Sequence, residues 1–258
     1  MDYRENTRKM LPEELASCIE ESTIHMTDEY TCSPEVLRVG EAVVGTLGNF
    51  SASIGKAKSK KTFNVSAIVA SALSNDVPYN SSHCQKVLKR IVRLANLPID
   101  IEPKNLKILA LRKYTPEERL AIVEYALNII PNIGLVIIDG IRDFVYDINS
   151  PSEATKIISK LMQWTDDYQI HIHTILHQNK NDEHARGHIG TELNNKAETI
   201  MQIEVDKDDK SVSVVEAIHI RDKEFEPFAF RINDEALPEL VECYSPKEKK
   251  VGRPKKEE

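Results

Sequence analysis

Glycine, cysteine and tryptophan are scarce in this chain: 9, 4 and 1 among 258 residues. The four cysteines, Cys18, Cys32, Cys84 and Cys243, are scattered and form no C-x-x-C pair. That spacing argues against a disulfide framework or a thiolate zinc site and suits reduced thiols in the cytosol. Aromatic residues make up only 6% of the chain, so aliphatic side chains must fill the core that a 41% hydrophobic content allows. No apolar run approaches the 18 residues of a membrane span, and Met1-Asp-Tyr-Arg-Glu offers no apolar signal region. A soluble, cytoplasmic protein without a membrane partner is expected. Excess positive charge is also missing. The net charge of −7 excludes a general nucleic-acid-coating surface and confines any DNA contact to local patches.

Against these absences stands one dense feature, Gly55-Lys-Ala-Lys-Ser-Lys-Lys61-Thr62. It follows the phosphate-loop pattern of Gly, four residues, Gly, Lys and Ser or Thr, with Lys60 in place of the second Gly. Such a loop supplies a triphosphate with backbone N–H groups, a lysine charge and a hydroxyl for Mg²⁺. The cofactor-binding set is therefore Gly55, Lys56, Ala57, Lys58, Ser59, Lys60, Lys61 and Thr62. Lys61 would neutralise the β and γ phosphates and Thr62 would hold Mg²⁺. The plainer alternative is a solvated basic turn.

The surrounding pattern is α/β. Pro12–Ser17 suggests a short helix within a polar segment, 1–40. Residues 43–54 read as a strand bent at Gly45 and Gly48, and Asn64–Leu73 as the helix after the loop. Ser82 suits the cap of a helix carrying Val87, Leu88, Ile91 and Val92. Leu106–Leu111 reads as a short strand. Thr115-Pro-Glu-Glu118 carries the cap, the first-turn proline and the glutamate of a capping box. Gly134-Leu-Val-Ile-Ile-Asp139 predicts a strand buried on both faces that ends in a carboxylate. Ser152–Trp164 is an amphipathic helix, and Ile170–His177 another buried strand. His177–Asn195 reads as a polar loop. Thr199–Val205 and Val212–Ile220 flank a charged hairpin turn, and Phe225–Ile232 adds a third late strand. Strands alternating with helices, followed by hairpins, predict a mostly parallel sheet flanked by helices and extended by C-terminal antiparallel strands.

Three further groups bear on function. Asp139, at its strand end, suits the acid that reaches Mg²⁺ through water; a helix cap is its alternative. His177 closes the next strand, where a polar side chain senses the γ phosphate. Five histidines lie between His171 and His188, but no carboxylate spacing marks a metal cluster, and His171 and His173 share one strand face. Lys180, Arg186, Arg221 and Lys223 are candidates for DNA phosphates or a neighbouring subunit's nucleotide, with ordinary surface charge as the alternative. The tail 241–258 is basic, and Gly252-Arg253-Pro254 among lysines is similar to the core of an AT-hook, placing Arg253 in an A·T-rich minor groove.

Together, the phosphate loop, Leu-Val-Ile-Ile-Asp139, His177-Gln-Asn-Lys180 and Ala185-Arg-Gly-His-Ile-Gly-Thr-Glu192 resemble the RecA-like P-loop ATPases. The branch is that of replicative-helicase-like and plasmid or mobilisable-element ATPases, and Asp139-Gly-Ile-Arg-Asp-Phe and the tail add to the likeness. The resemblance covers about residues 40–235 and implies a RecA-like nucleotide-binding domain over 41–240. It also implies ATP and Mg²⁺, self-association up to a hexameric ring, and action on single-stranded or duplex DNA in replication or mobilisation of a mobile element. It carries over Lys61 and Thr62 as phosphate and Mg²⁺ ligands, Asp139 as the acidic strand end and His177 as the sensor. One departure matters. Such ATPases carry a further strand ending in a water-orienting Glu, whereas Asn75–Ser82 here is short and holds no Glu; Asp76 is the nearest acid. ATPase activity is thus in question, and the alternative is a non-hydrolysing DNA-binding or regulatory scaffold.

Overall fold

The computed structural model describes residues 11–25, 32–73, 90–98, 103–178, 187–242 and 244. Its contacts divide the chain into two units, 1–32 and 33–258. The first carries one described helix, α1 (Pro12–Ser22), opened by proline and by Glu14 accepting from the Leu11 N–H at 2.7 Å. None of its residues is buried.

The second unit is built on two sheets. A small antiparallel hairpin joins β1 (Glu35–Val39) to β2 (Ala42–Thr46). The large sheet holds β3 (Phe50–Gly55), β4 (Leu135–Ile138), β5 (His171–His177), β6 (Thr199–Val205), β7 (Val212–Ile220), β8 (Phe228–Ile232) and β9 (Pro238–Leu240). Their order is β4-β5-β3-β6-β7-β8-β9. Among the described residues the longer helices of this unit are α2 (Lys61–Leu73), α3 (Pro116–Ile129), α4 (Pro151–Tyr168) and α5 (Gly187–Lys196).

The mostly parallel, RecA-like sheet expected from the sequence is not what forms. Three pairings are parallel, β4–β5, β5–β3 and β3–β6, and three are antiparallel, β6–β7, β7–β8 and β8–β9. The parallel majority is lost because 106–111, expected as a strand, joins no ladder, while β9 adds an antiparallel strand to the expected late hairpins. A parallel return needs a crossover of about a dozen residues or more, and the links 206–211, 221–227 and 233–237 are all shorter. Other local expectations also change. Residues 43–54 are two strands in two different sheets, not one bent strand. Residues 106–111 run outside any ladder. The polar stretch ending near Asn195 contains α5, built around buried Ile189 and Leu193. Strand β4 is an edge of the described sheet, with Leu135, Val136 and Ile137 half-buried and only Ile138 buried.

The capping box of α3 forms as its sequence predicts. Thr115 Oγ1 accepts from the Glu118 N–H at 3.3 Å, and the Glu118 carboxylate accepts from the Thr115 N–H at 2.8 Å. Residues 90–94 are helical, with Ile91 and Val92 buried. The cap expected at Ser82 lies outside the described residues.

β3 is the centre of the fold, and all six of its residues are buried. Its alternation sorts them by face. Phe50, Ala52 and Ile54 pack with α3, α4 and α5 through Leu127, Leu161, Trp164, Ile189 and Leu193. Ser51 and Ser53 point the other way, where the hairpin and α2 pack through Val44 and Ala67. Hydroxyls buried there need partners, and β5 supplies them. Ser51 Oγ lies 2.7 Å from His171 Nε2 and 2.8 Å from His173 Nδ1, and Ser53 Oγ lies 2.8 Å from His173 Nε2.

The end groups fix every proton in this chain of bonds. His171 Nδ1 faces the Thr46 carbonyl at 2.9 Å, and a carbonyl only accepts, so Nδ1 carries the hydrogen. His171 Nε2 must then accept from Ser51, Ser51 from His173 Nδ1–H, and His173 Nε2 from Ser53. Ser53 in turn accepts from Asn64 Nδ2 at 3.4 Å. Both imidazoles are therefore neutral Nδ1–H tautomers, and one directed chain runs from α2 to β2. Gly45 makes room for it, since a Cβ there would stand 2.6 Å from the His171 ring.

Burial lowers the pKa of both histidines, that of His173 to about 3. The unfolded chain takes up protons near pH 6.5 while the folded chain does not. Stability is then complete above pH 6.5 and falls as pH drops toward 3. His173 alone should remove about 2 kcal/mol between pH 6.5 and pH 5. Urea denaturation at the two pH values measures this loss, which a His173→Asn variant should reduce. Nitrogen-15 spectra should report both rings as Nδ1–H tautomers at neutral pH.

Candidate functional site

The carboxyl-terminal ends of β3, β5 and β4 bring three expected residues together. β3 leads into the 55–62 loop and α2. In the adjacent strand His177 is the register partner of Gly55, and Asp139 directly follows β4. The Gln178 N–H donates to the Gly55 carbonyl at 3.1 Å, tying the β5 end to the start of the loop.

Gly55 is required by space. A Cβ there would lie 2.2 Å from the Ile203 carbonyl oxygen of β6 and 2.7 Å from Ser59 Oγ. The loop then turns over Lys56, Ala57 and Lys58, all exposed, and returns through buried Ser59. Its turn is closed by the Ser59 N–H donating to the Lys56 carbonyl at 3.2 Å. Lys58 and Lys60 adopt left-handed backbone, with φ of 68° and 63°. A side chain in that region costs about 1–2 kcal/mol. Lys60 thus takes a backbone shape that glycine adopts more readily. Its carbonyl accepts from the N–H groups of Phe63 and Asn64 at 2.9 and 3.2 Å, opening α2.

Lys61 is 5% exposed. Its ammonium donates to the carbonyls of Gly55 at 2.7 Å and Lys56 at 2.8 Å, and reaches Ser59 Oγ at 3.4 Å. These are neutral oxygens, so the charge is solvated by the loop but not neutralised by it. Burial lowers the Lys61 pKa to about 8, against an opposing pull from Asp139.

Asp139 keeps an open face to solvent but is crowded by protein on its other sides. That desolvation raises its pKa. A hydrogen bond from the Thr62 hydroxyl and the charges of Lys61 and His177 pull it down, while Asp143 pushes it up. Thr62, Asp139 and Lys61 therefore form one electrostatic unit, and His177 is near enough to be felt by it. Thr62 and Asp139 also line a cleft of about 2180 Å³ that runs between α2 and β4 and is walled largely by aliphatic side chains.

The remaining candidates lie elsewhere. Arg221 follows β7, and its Nη2 donates to the Lys196 carbonyl at 3.3 Å. Ile220 pairs with Thr199, which pairs with Ser51, so this end is four β3 residues from Gly55, about 13 Å at the usual rise. Arg221 and Lys223 thus stand at the opposite end of the sheet from the loop. Lys180, Arg186, Arg253 and Asp76 lie outside the described residues. Among the described residues no group of three or more His, Cys, Asp or Glu is placed to hold a metal ion, and no helix is long and apolar enough to cross a membrane.

Sequence reasoning passed over Asn64, Ser53 and Ser51, which connect the loop helix to the core. The signal was present as Ser-x-Ser on β3 facing His-x-His on β5, both with the period of a strand. Comparison with protein-family models finds no match, and comparison with curated proteins finds no similar sequence.

Two outcomes test the geometry. Asp139→Asn removes the charge that supports the Lys61 ammonium, so its pKa should fall below about 8. Carbon-13 spectra of dimethylated lysines should resolve that displacement. Gly55→Ala forces a methyl against Ile203 and should cost about 1–3 kcal/mol of stability in urea titration.

Proposed function

We propose that this chain binds a nucleoside triphosphate with Mg²⁺, the phosphates lying in the 55–62 loop opposite Asp139. The observation that carries this reading is the placement of Lys61. It is a buried ammonium held by neutral carbonyl oxygens at the start of a helix, with the Thr62–Asp139 pair beside it. The adjoining first turn of α2 adds N–H groups and the positive end of a helix dipole, which together favour an anion.

The donor set fits Mg²⁺. A hydroxyl and a carboxylate are hard oxygen ligands, and Mg²⁺ is commonly held by one or two such groups with waters and phosphate oxygens. Thr62 would ligate it, and Asp139 would hold it directly or through water. The bound cation would offset phosphate charge. It would also favour the ionised Asp139, whose pKa is raised without it. Lys61 would move from the loop carbonyls to phosphate oxygens, exchanging neutral acceptors for charged ones. His177 and Gln178 would sit at the far edge of the loop, where the outermost phosphate ends.

Binding with slow turnover is the form of this function that the residues favour. Among the described residues, the other carboxylate felt by Asp139 is Asp143, which is bonded through its backbone carbonyl to Arg119. It follows the same strand as Asp139 and does not face the loop from another strand. Action on DNA through the basic tail, and assembly of several copies, are further parts of the proposal and rest on the sequence resemblance.

Titration of fluorescent ATP should give saturable, Mg²⁺-dependent binding. Lys61→Ala should weaken it about tenfold or more, the size of one lost charge-assisted bond. Asp139→Asn should weaken the Mg²⁺ dependence. Steady-state assays should find slow hydrolysis. Absence of binding at millimolar ATP would overturn this function.

A further inference from the structure

Lys60 does not point with Lys61. Its ammonium donates to the Ser211 carbonyl at 2.6 Å, bridging from the phosphate loop to the β6–β7 turn. Asp209 stands close enough to support that charge, while desolvation lowers the Lys60 pKa. Asp209 is itself held by the Ser211 N–H at 2.8 Å and hydroxyl at 2.6 Å, and Asp206 accepts from the N–H groups of Asp208 and Asp209 at 2.9 and 3.0 Å. Lys210 closes the turn from within, its ammonium donating to the carbonyls of Asp206 at 3.4 Å and Lys207 at 3.1 Å, while Lys60 reaches it from the loop. β6 touches the other end of the loop too, where Gly55 lies against the Ile203 carbonyl. The loop is gripped at both ends by the same strand and its hairpin.

We propose that Lys60 is a parked phosphate ligand, handed from Ser211 to the incoming nucleotide, so that occupancy of the loop releases the β6–β7 turn. This inference rests on the nucleotide reading of the loop and assigns to it a second cation and a responding element. The acceptor at Ser211 is a neutral carbonyl, whereas a phosphate oxygen is charged, and hydrogen bonds charged on both sides are the stronger. The ligand's negative charge draws Lys60 away, whereas Lys210 stays occupied on the turn's own carbonyls beside Asp206, Asp208 and Asp209. Once unclasped, the turn keeps its own Asx bonds but loses its tie to the loop. The coupling is reciprocal by linkage. Holding Lys60 on Ser211 opposes binding, and any contact that pulls the turn from the loop favours it.

Hydrogen exchange of the full chain tests this with Mg²⁺ and the β,γ-imido analogue of ATP as the probe. Saturation should slow exchange in the 56–62 loop and speed it several-fold in residues 207–211. In Lys60→Ala the turn should exchange fast with or without the analogue, and in Lys60→Arg the response should return. A slowed loop with an unchanged turn would overturn the hand-over while leaving nucleotide binding intact. So would a Lys60→Ala turn that still responds. A loop indifferent to the analogue would overturn the nucleotide reading and this inference together.

Discussion

The fold depends on satisfying two hydroxyls in the middle of its sheet. β3 lies between β5 and β6 and is buried along its whole length, yet it carries Ser51 and Ser53. An unpaired hydroxyl in that position costs about 1–3 kcal/mol. His171 and His173 meet the need only in one register and one tautomer. Slipping β5 by one residue would turn both rings to the opposite face. The same bonds continue to Asn64, two residues beyond Thr62. The polar chain that fixes the strand pairing therefore also fixes where the first turn of α2 stands.

That coupling explains how a loop with two strained lysines keeps its shape. On one side, Gly55 is pressed against β6 and tied by its carbonyl to both Gln178 and Lys61. On the other, Asn64 is anchored in the core. Left-handed Lys58 and Lys60 lie between two fixed points. Their strain is tolerated because the alternative is to break buried hydrogen bonds. The loop backbone is therefore held in place by contacts within the chain itself.

Much of this was legible in the sequence where the signal is local. The capping box at Thr115–Glu118 needs only residues three apart, and it forms as read. The strand ending in Asp139 and the helix beginning at the loop are fixed by short apolar runs. Sheet direction is less local. Short late connections marked the hairpins, but alternating strands and helices favoured a parallel majority that does not form, since 106–111 joins no ladder and β9 adds an antiparallel edge. The helix across Gly187–Lys196 was hidden by polarity. It buries only Ile189, Gly190 and Leu193, too few apolar positions to stand out in a segment rich in Asn, Glu and His. The Ser–His chain was invisible for another reason: it requires two strands far apart in sequence to be adjacent with known register.

The contrast between Lys60 and Lys61 follows from this geometry, not from chemistry intrinsic to lysine. Both are adjacent and both have lowered pKa values through desolvation. Lys61 begins α2, so its side chain turns back along the helix toward the loop carbonyls, the direction helical side chains take. Lys60 precedes the helix with φ of 63°, which sends its side chain away from that face and onto the β6–β7 turn. A glycine at position 60 would give the same backbone and no such contact. The substitution that weakens the sequence signature thus adds a cation with a distinct partner. Lys60 connects the 55–62 loop to the antiparallel half of the sheet.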